Sequence, residues 1–224
     1  MDKIKGLLFD LDGVITDTAE YHYLAWKNLA TSLKIEFTRE FNENLKGISR
    51  MESLEKILKL GHKNKVINQE QKNTLAEIKN SEYVALIDEV SANDILPGIE
   101  KLLKEAQNLG LKMVLTSASK NGPRLLEKLG LSQYFDEVID PGTLKKGKPD
   151  PEIYLLGAKV LGLEPEECIG FEDAYSGVES INAAGIYSVG IGAPEILSEA
   201  DYIVKSTSEL DLAMILIEAN KDSK

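Results

Sequence analysis

Gly6-Leu7-Leu8-Phe9-Asp10-Leu11-Asp12-Gly13-Val14 decides how the rest of this 224-residue chain is read. Gly6 to Phe9 is a short apolar run without polar alternation, which suits a strand buried on both faces of a parallel sheet. Two acids follow where the strand should end. Residues two apart in an extended segment project to one side, so Asp10 and Asp12 face a common spot while Leu11 packs away. Gly13 then permits a sharp turn. Open α/β sheets bind their ligands at the carboxyl ends of their strands, and paired carboxylates there are costly without a cation or proton between them. Taken alone, such a pair is equally an acid-rich turn. The remainder of the chain must supply its partners.

Beyond Thr16 the pattern turns helical and stays so to about residue 88. Asp17 or Thr18 caps a helix through Tyr21, Leu24, Ala25 and Leu29, and the same three- and four-residue period recurs over Met51 to Leu60, Gln69 to Lys79 and Asn80 to Val90. After Leu96-Pro97-Gly98, helices alternate with strands. The helices are predicted over Ile99 to Leu109, Pro123 to Leu129, Pro151 to Leu161 and Ser176 to Ala184. The strands are predicted over Lys112 to Thr116, Glu137 to Ile139, Cys168 to Phe171, Ser188 to Ile191 and Tyr202 to Val204. Such alternation implies parallel pairing with right-handed crossovers. The expected fold is a doubly wound, Rossmann-like α/β parallel sheet with an inserted α-helical cap. Residues 1–16 with 92–224 form the core and 17–91 the cap. Asn220 to Lys224 is expected to fray.

Apolar residues make up 43% of the chain and charged residues 28%, the balance of an ordinary soluble enzyme. No run approaches the roughly 20 apolar residues of a membrane span, and the amino terminus enters a strand without a leader pattern, so a cytoplasmic protein with no membrane partner is expected. The single Cys168 reads as a buried structural thiol. A formal net charge of −11 argues against nucleic acid. Any anion-binding site must therefore be a local positive island.

Asp10, as a carboxylate, can attack phosphorus to give an acyl phosphate if the mutual repulsion of the anions is offset. Mg2+ is the natural agent, and Glu172 and Asp173 at another predicted strand end are candidates to complete its site with Asp10. Read alone they would cap the following helix. Ser117 follows the strand ending at Thr116 and can hold a phosphoryl oxygen; by itself it is a turn residue. Lys148 precedes Pro149, which restricts its backbone to extended geometry and can fix where its side chain points; read alone it is solvated surface like Lys145 and Lys146.

These stations, D-L-D-G-V, T-S-A-S, K-P-D-P and F-E-D, resemble in order and spacing those of the haloacid dehalogenase superfamily of aspartate-nucleophile phosphotransferases. The resemblance implies Asp10 as nucleophile and Asp12 as general acid/base with its backbone carbonyl on the metal. It also implies Ser117 and Lys148 on the transferring phosphoryl group, and Mg2+ held by Asp10, Asp12 and Asp173 with Glu172 adjacent.

Three further stretches, Asp17 to His22 with Trp26, Leu45 to Arg50 with Ser53, and Ser117 to Pro123, are similar to the superfamily branch that interconverts β-D-glucose 1-phosphate and glucose 6-phosphate. That similarity implies a second anion site from Arg50, Ser119, Lys120 and Asn121, with Lys46, Gly47, Ser53 and Ala118 also facing a small phosphosugar. It places His22 and Lys79 on the sugar hydroxyls or against Asp12, and Thr18 behind Asp12. Trp26 reads as cap core as well as a substrate-facing candidate. On their residues alone, Arg50 and His22 are helix-surface positions and Lys120 a solvated loop. The implied cycle uses β-glucose 1,6-bisphosphate as activator and intermediate, in a monomer whose hinges lie near Ile15 to Thr18 and Ser91 to Leu96. The alternative is a Mg-dependent sugar-phosphate phosphatase of the same superfamily.

Overall fold

All four residues of β1 (Gly6–Phe9) are buried, as an uninterrupted apolar strand requires. In the computed structural model, which describes residues 3–221, β1 is the central strand of the sheet. The chain next forms α1 (Ala19–Ser32), α2 (Arg39–Glu43), α3 (Arg50–Leu60) and α4 (Gln69–Leu86), with no strand among them. Two short 3-10 turns lead to α5 (Ile99–Asn108). There follow β2 (Lys112–Leu115), α6 (Gly122–Leu129), β3 (Glu137–Val138), α7 (Glu152–Val160), β4 (Cys168–Glu172), α8 (Tyr175–Ala183), β5 (Tyr187–Ile191), β6 (Tyr202–Val204) and α9 (Leu212–Lys221).

The six strands pair in parallel in the order β3-β2-β1-β4-β5-β6. That order reverses direction between β1 and β4, the position at which a crevice opens above a doubly wound sheet. Alternate residues of β1 serve opposite faces. Leu7 and Phe9 pack with Leu103, Leu125 and Ile215, while Leu8 packs with Ile153, Tyr154 and Ile181. A third cluster, including Tyr23, Trp26, Phe37, Leu54 and Ile57, lies wholly within the helical insertion, so this segment has its own core. Among the described residues, no helix is long and apolar enough to cross a membrane.

The two connections between insertion and sheet run side by side. Thr16 and Ile95 form an antiparallel bridge, Leu96 N–H donates to Ile15 O at 2.9 Å, and Thr16 Oγ1 donates to Asp94 O at 2.8 Å. Both lie within the two stretches expected to act as hinges.

Four features differ from the sequence reading. The two helices expected over 69–90 are one, α4, because neither Lys79 nor Asn80 interrupts the ladder. The five residues of α2 are too few to show a period; the helix starts where the Thr38 side chain accepts from Phe41 N–H. The nearly continuous apolar run Leu212 to Ile217 concealed α9, which takes in Asn220 and Lys221 rather than leaving them frayed; residues 222–224 lie outside the described residues. Finally, β4 extends through Glu172, so Glu172 ends the strand instead of following it.

Phe9 and Phe171 stack across the β1–β4 seam with centroids 4.7 Å apart, both fully buried. Phe171→Ala should lower unfolding free energy by about 3–5 kcal/mol, measured by urea titration. A loss below 1 kcal/mol would mean that the seam does not depend on this stack.

Candidate active site

The carboxyl ends of β1 and β4 bring the acids together. Asp10 N–H donates to Phe171 O at 3.1 Å, extending the sheet ladder by one residue and fixing where the Asp10 side chain begins. The chain then turns at Gly13, whose φ is +76°; a Cβ there would lie 2.2 Å from Asp173 Oδ2. Only glycine permits both the turn and the close approach.

Lys148 enters from the loop before α7, through a cis peptide to Pro149. Its Nζ donates to Asp10 Oδ1 at 2.7 Å and to Glu172 Oε1, and its side chain is 1% exposed. Burial alone would depress the ammonium, but Asp10 and Glu172 outweigh it and hold Lys148 well above its ordinary value. Glu172, fully buried, is surrounded by donors. Tyr154 Oη donates to Oε1 at 2.9 Å, and the N–H groups of Asp173 and Ala174 donate to Oε2 at 3.1 and 3.2 Å. Gly177 makes room for this carboxylate, since a Cβ at 177 would sit 1.9 Å from its Cδ.

Asp10, Glu172 and Asp173 each bring a carboxylate oxygen to within 4.8 Å of the others. Burial, then Glu172, Asp10 and Asp12, pushes Asp173 well above the usual carboxylate range. An all-oxygen donor set crowded with like charge fits a hard divalent cation such as Mg2+. Within this cluster Glu172 already accepts from four donors, whereas Asp10 accepts from Lys148 through Oδ1 alone.

Asp12 faces a different set of groups. Thr18 Oγ1 donates to Asp12 Oδ1, and the Tyr83 hydroxyl lies 2.8 Å from Thr18 Oγ1. His22 Nε2 is 3.6 Å from Asp12 Oδ2, beyond hydrogen-bond range, while its Nδ1 is 2.8 Å from Lys79 Nζ. The part of the Asp12 side chain that remains open, 28%, lines the site cavity. Desolvation there, joined by the Asp10 charge and opposed by the Thr18 hydrogen bond, raises Asp12 to about 7. Burial, reinforced by Arg50, lowers Lys79 to about 7. Burial and the neighbouring Lys79 and Arg50 hold His22 well below its ordinary value. Neutral His22 therefore accepts from Lys79, whose Nζ also lies over the rings of Trp26 and Tyr83, 4.8 and 4.6 Å from their centroids. Trp26 is thus both cap core and part of the cavity wall.

At the neighbouring strand end, Ser117 is buried after β2, and its Oγ accepts from Ser119 N–H at 3.1 Å. Ser119 Oγ in turn accepts from Asn121 N–H at 3.2 Å. From the insertion, Arg50 donates to Glu77 at 3.1 Å and to Asn80 Oδ1 at 2.8 Å. The cavity, about 940 Å³ and open to solvent, has among its lining residues Asp10, Asp12, His22, Trp26, Lys46, Gly47, Arg50, Ser53, Lys79, Asn80, Ser117, Ala118, Ser119, Lys120, Asn121, Lys148 and Asp173. Of the expected site residues, Thr18 and Glu172 do not line the cavity and instead hydrogen-bond Asp12 and Lys148. Lys146 is exposed and pairs with Asp150, as a solvated lysine would. Gly47 and Gly147 allow the two lobes to meet: a Cβ on the first would lie 2.7 Å from Ser176 Oγ, and on the second 2.8 Å from Glu52 Oε2.

Sequence reasoning missed Asn80, Tyr83, Tyr154 and Gly177. Tyr83 was accessible in principle, one helical turn beyond Lys79 on the same face. Nothing local marks Tyr154.

A family model described as haloacid dehalogenase-like hydrolase matches residues 4–185. The chain belongs to this family. It is 45% identical over 212 residues to "Beta-phosphoglucomutase" of Bacillus subtilis, an alignment covering 95% of this chain and 94% of that protein. The crystal structure of beta-phosphoglucomutase from Clostridium difficile superposes with a TM-score of 0.96 at 50% identity, covering 97% of this chain and 98% of the other. "Phosphorylated carbohydrates phosphatase" of Thermotoga maritima is 30% identical over 192 residues, covering 82% of each chain.

Two substitutions test the geometry. Gly177→Ala drives the buried Glu172 carboxylate off its four donors, and leaving a buried charge unpaired should cost about 3–5 kcal/mol in urea unfolding. Stability equal to wild type would show that Glu172 has room to move. Thr18→Val removes a donor that favours ionised Asp12, so the NMR titration midpoint of that carboxyl should move above 7. A midpoint that stays or falls would contradict the assigned hydrogen bond.

Proposed function

We propose that this protein interconverts β-D-glucose 1-phosphate and glucose 6-phosphate as a β-phosphoglucomutase, through an aspartyl phosphate on Asp10 and β-glucose 1,6-bisphosphate. The observation that carries this reading is the meeting of Arg50 from the insertion and Asn121 from the core on Asn80 Oδ1, in the cavity that Asp10 also lines. A mutase holds a bisphosphorylated sugar in both orientations and so needs a second anion site facing the nucleophile. A hydrolase does not. The 45% and 50% identical relatives, named as β-phosphoglucomutases, support the same choice.

Lys148 orients Asp10 through Oδ1, leaving Oδ2 to attack phosphorus. Ser117 and Lys148 take the non-bridging phosphoryl oxygens, while Asp12 gives its proton to the departing sugar oxygen. With its carboxyl raised to about 7, Asp12 is poised equally to take a proton from the attacking 6-hydroxyl in the reverse direction. Mg2+ bound by Asp10, Asp173 and the Asp12 carbonyl would offset the repulsion between carboxylate and phosphoryl group. The sugar intermediate turns round, and its other phosphate passes back to Asp10. The insertion, which we assign to 17–91 against a core of 1–16 and 92–224, keeps water from the acyl phosphate when seated. We assign the chain to the cytoplasm, as a monomer.

A phosphorus NMR time course with β-glucose 1-phosphate, trace bisphosphate and Mg2+ should show glucose 6-phosphate forming faster than free phosphate. The reverse ratio would assign the protein to the sugar-phosphate phosphatases instead. Asp10→Asn should abolish both products, and Arg50→Ala should slow isomerisation by about 10-fold to 100-fold through loss of a charge-assisted bidentate contact.

A further inference from the structure

We infer that Asn80 is a specificity-determining residue of the second anion site, joining the insertion to the core through one oxygen and presenting its amide N–H groups to the bound anion. This rests on the mutase reading for its ligand, but not for its geometry. Asn80 Oδ1 accepts from Arg50 Nη2 at 2.8 Å and from Asn121 Nδ2 at 3.0 Å, one donor from α3 of the insertion and the other from the loop before α6 of the core. A guanidinium has no acceptor, so Arg50 fixes which end of the Asn80 amide it meets, and that end must be the oxygen. Nδ2 then has no partner among the described residues, and Asn80 lines the cavity with Arg50, Lys120 and Asn121.

Two consequences follow from the shared oxygen. Arg50 and Asn121 are held at a fixed spacing only when the two lobes meet, so recognition of a second phosphate and seating of the insertion are one event. The other side of Arg50 is held by Glu77, a side chain 71% exposed whose carboxylate stands where a stronger anion can displace it. The Asn80 N–H groups add donors to that anion without adding charge. A monophosphate with nothing for this site to grip gains nothing from Asn80; a phosphosugar spanning the cavity gains affinity and closure together.

The test compares wild type, Asn80→Ala and Asn80→Asp by calorimetric titration with glucose 6-phosphate and by the ratio of isomerisation to hydrolysis with β-glucose 1-phosphate. Asn80→Ala should weaken glucose 6-phosphate binding at least tenfold and lower the ratio at least tenfold. A general folding defect would reduce both reactions together and leave the ratio intact. Asn80→Asp keeps both acceptor bonds but replaces the N–H donors with negative charge, so it should bind at least as weakly as the alanine variant. Binding and ratio within twofold of wild type in Asn80→Ala would overturn the inference. Recovery to wild-type values in Asn80→Asp would overturn it too, by reducing Asn80 to a strut. If wild type released only free phosphate, the mutase reading would fail, while the tenfold binding difference would still uphold the role of Asn80.

Discussion

A single buried ammonium holds the centre of this protein together. Lys148 Nζ lies between Asp10 at the end of β1 and Glu172 at the end of β4, with almost no access to water. Ions taken out of water at this depth persist only when paired and fully hydrogen-bonded, and here both conditions are met. Glu172 has four donors, and Lys148 has two carboxylates and the Tyr154 ring, whose centroid is 5.1 Å away. The same arrangement that ties the strands also fixes the Asp10 carboxylate. With Oδ1 held by Lys148, Asp10 keeps its other oxygen for chemistry.

The two aspartates two residues apart have different surroundings. Asp10 is compensated by a buried cation. Asp12 lies where burial outweighs its neutral hydrogen-bond partner, and its carboxyl is raised to about 7, the range in which it can both give and take a proton. Lys79 and His22 beside it are pushed toward neutrality by burial and by Arg50, His22 also by Lys79. The groups that surround Asp12, namely His22, Lys79, Thr18 and Tyr83, all belong to the inserted helices and the turn leading into them.

A chain of formal charge −11 has to recognise anions locally. Lys46, Arg50, Lys79, Lys120 and Lys148 all reach one cavity, and each comes from a different part of the chain. Seating of the insertion assembles them, and glycines at 47 and 147 allow the lobes to approach closely enough.

The sheet, the inserted helices and the acidic strand ends were legible in the sequence, because burial on both strand faces and the helical period are local properties written residue by residue. The stations at Asp10, Ser117, Lys148 and Asp173 were legible as a set only through their resemblance to a family pattern, since each by itself reads as a turn, capping or solvated residue. What only the tertiary structure decided are contacts between residues far apart with no local mark: Tyr154 on Glu172, Gly177 yielding space to that carboxylate, and Asn80 receiving both Arg50 and Asn121. An asparagine in mid-helix looks like any solvated polar residue. Its role exists only once α4 lies against the loop before α6, and the packing of two separate cores decides that placement.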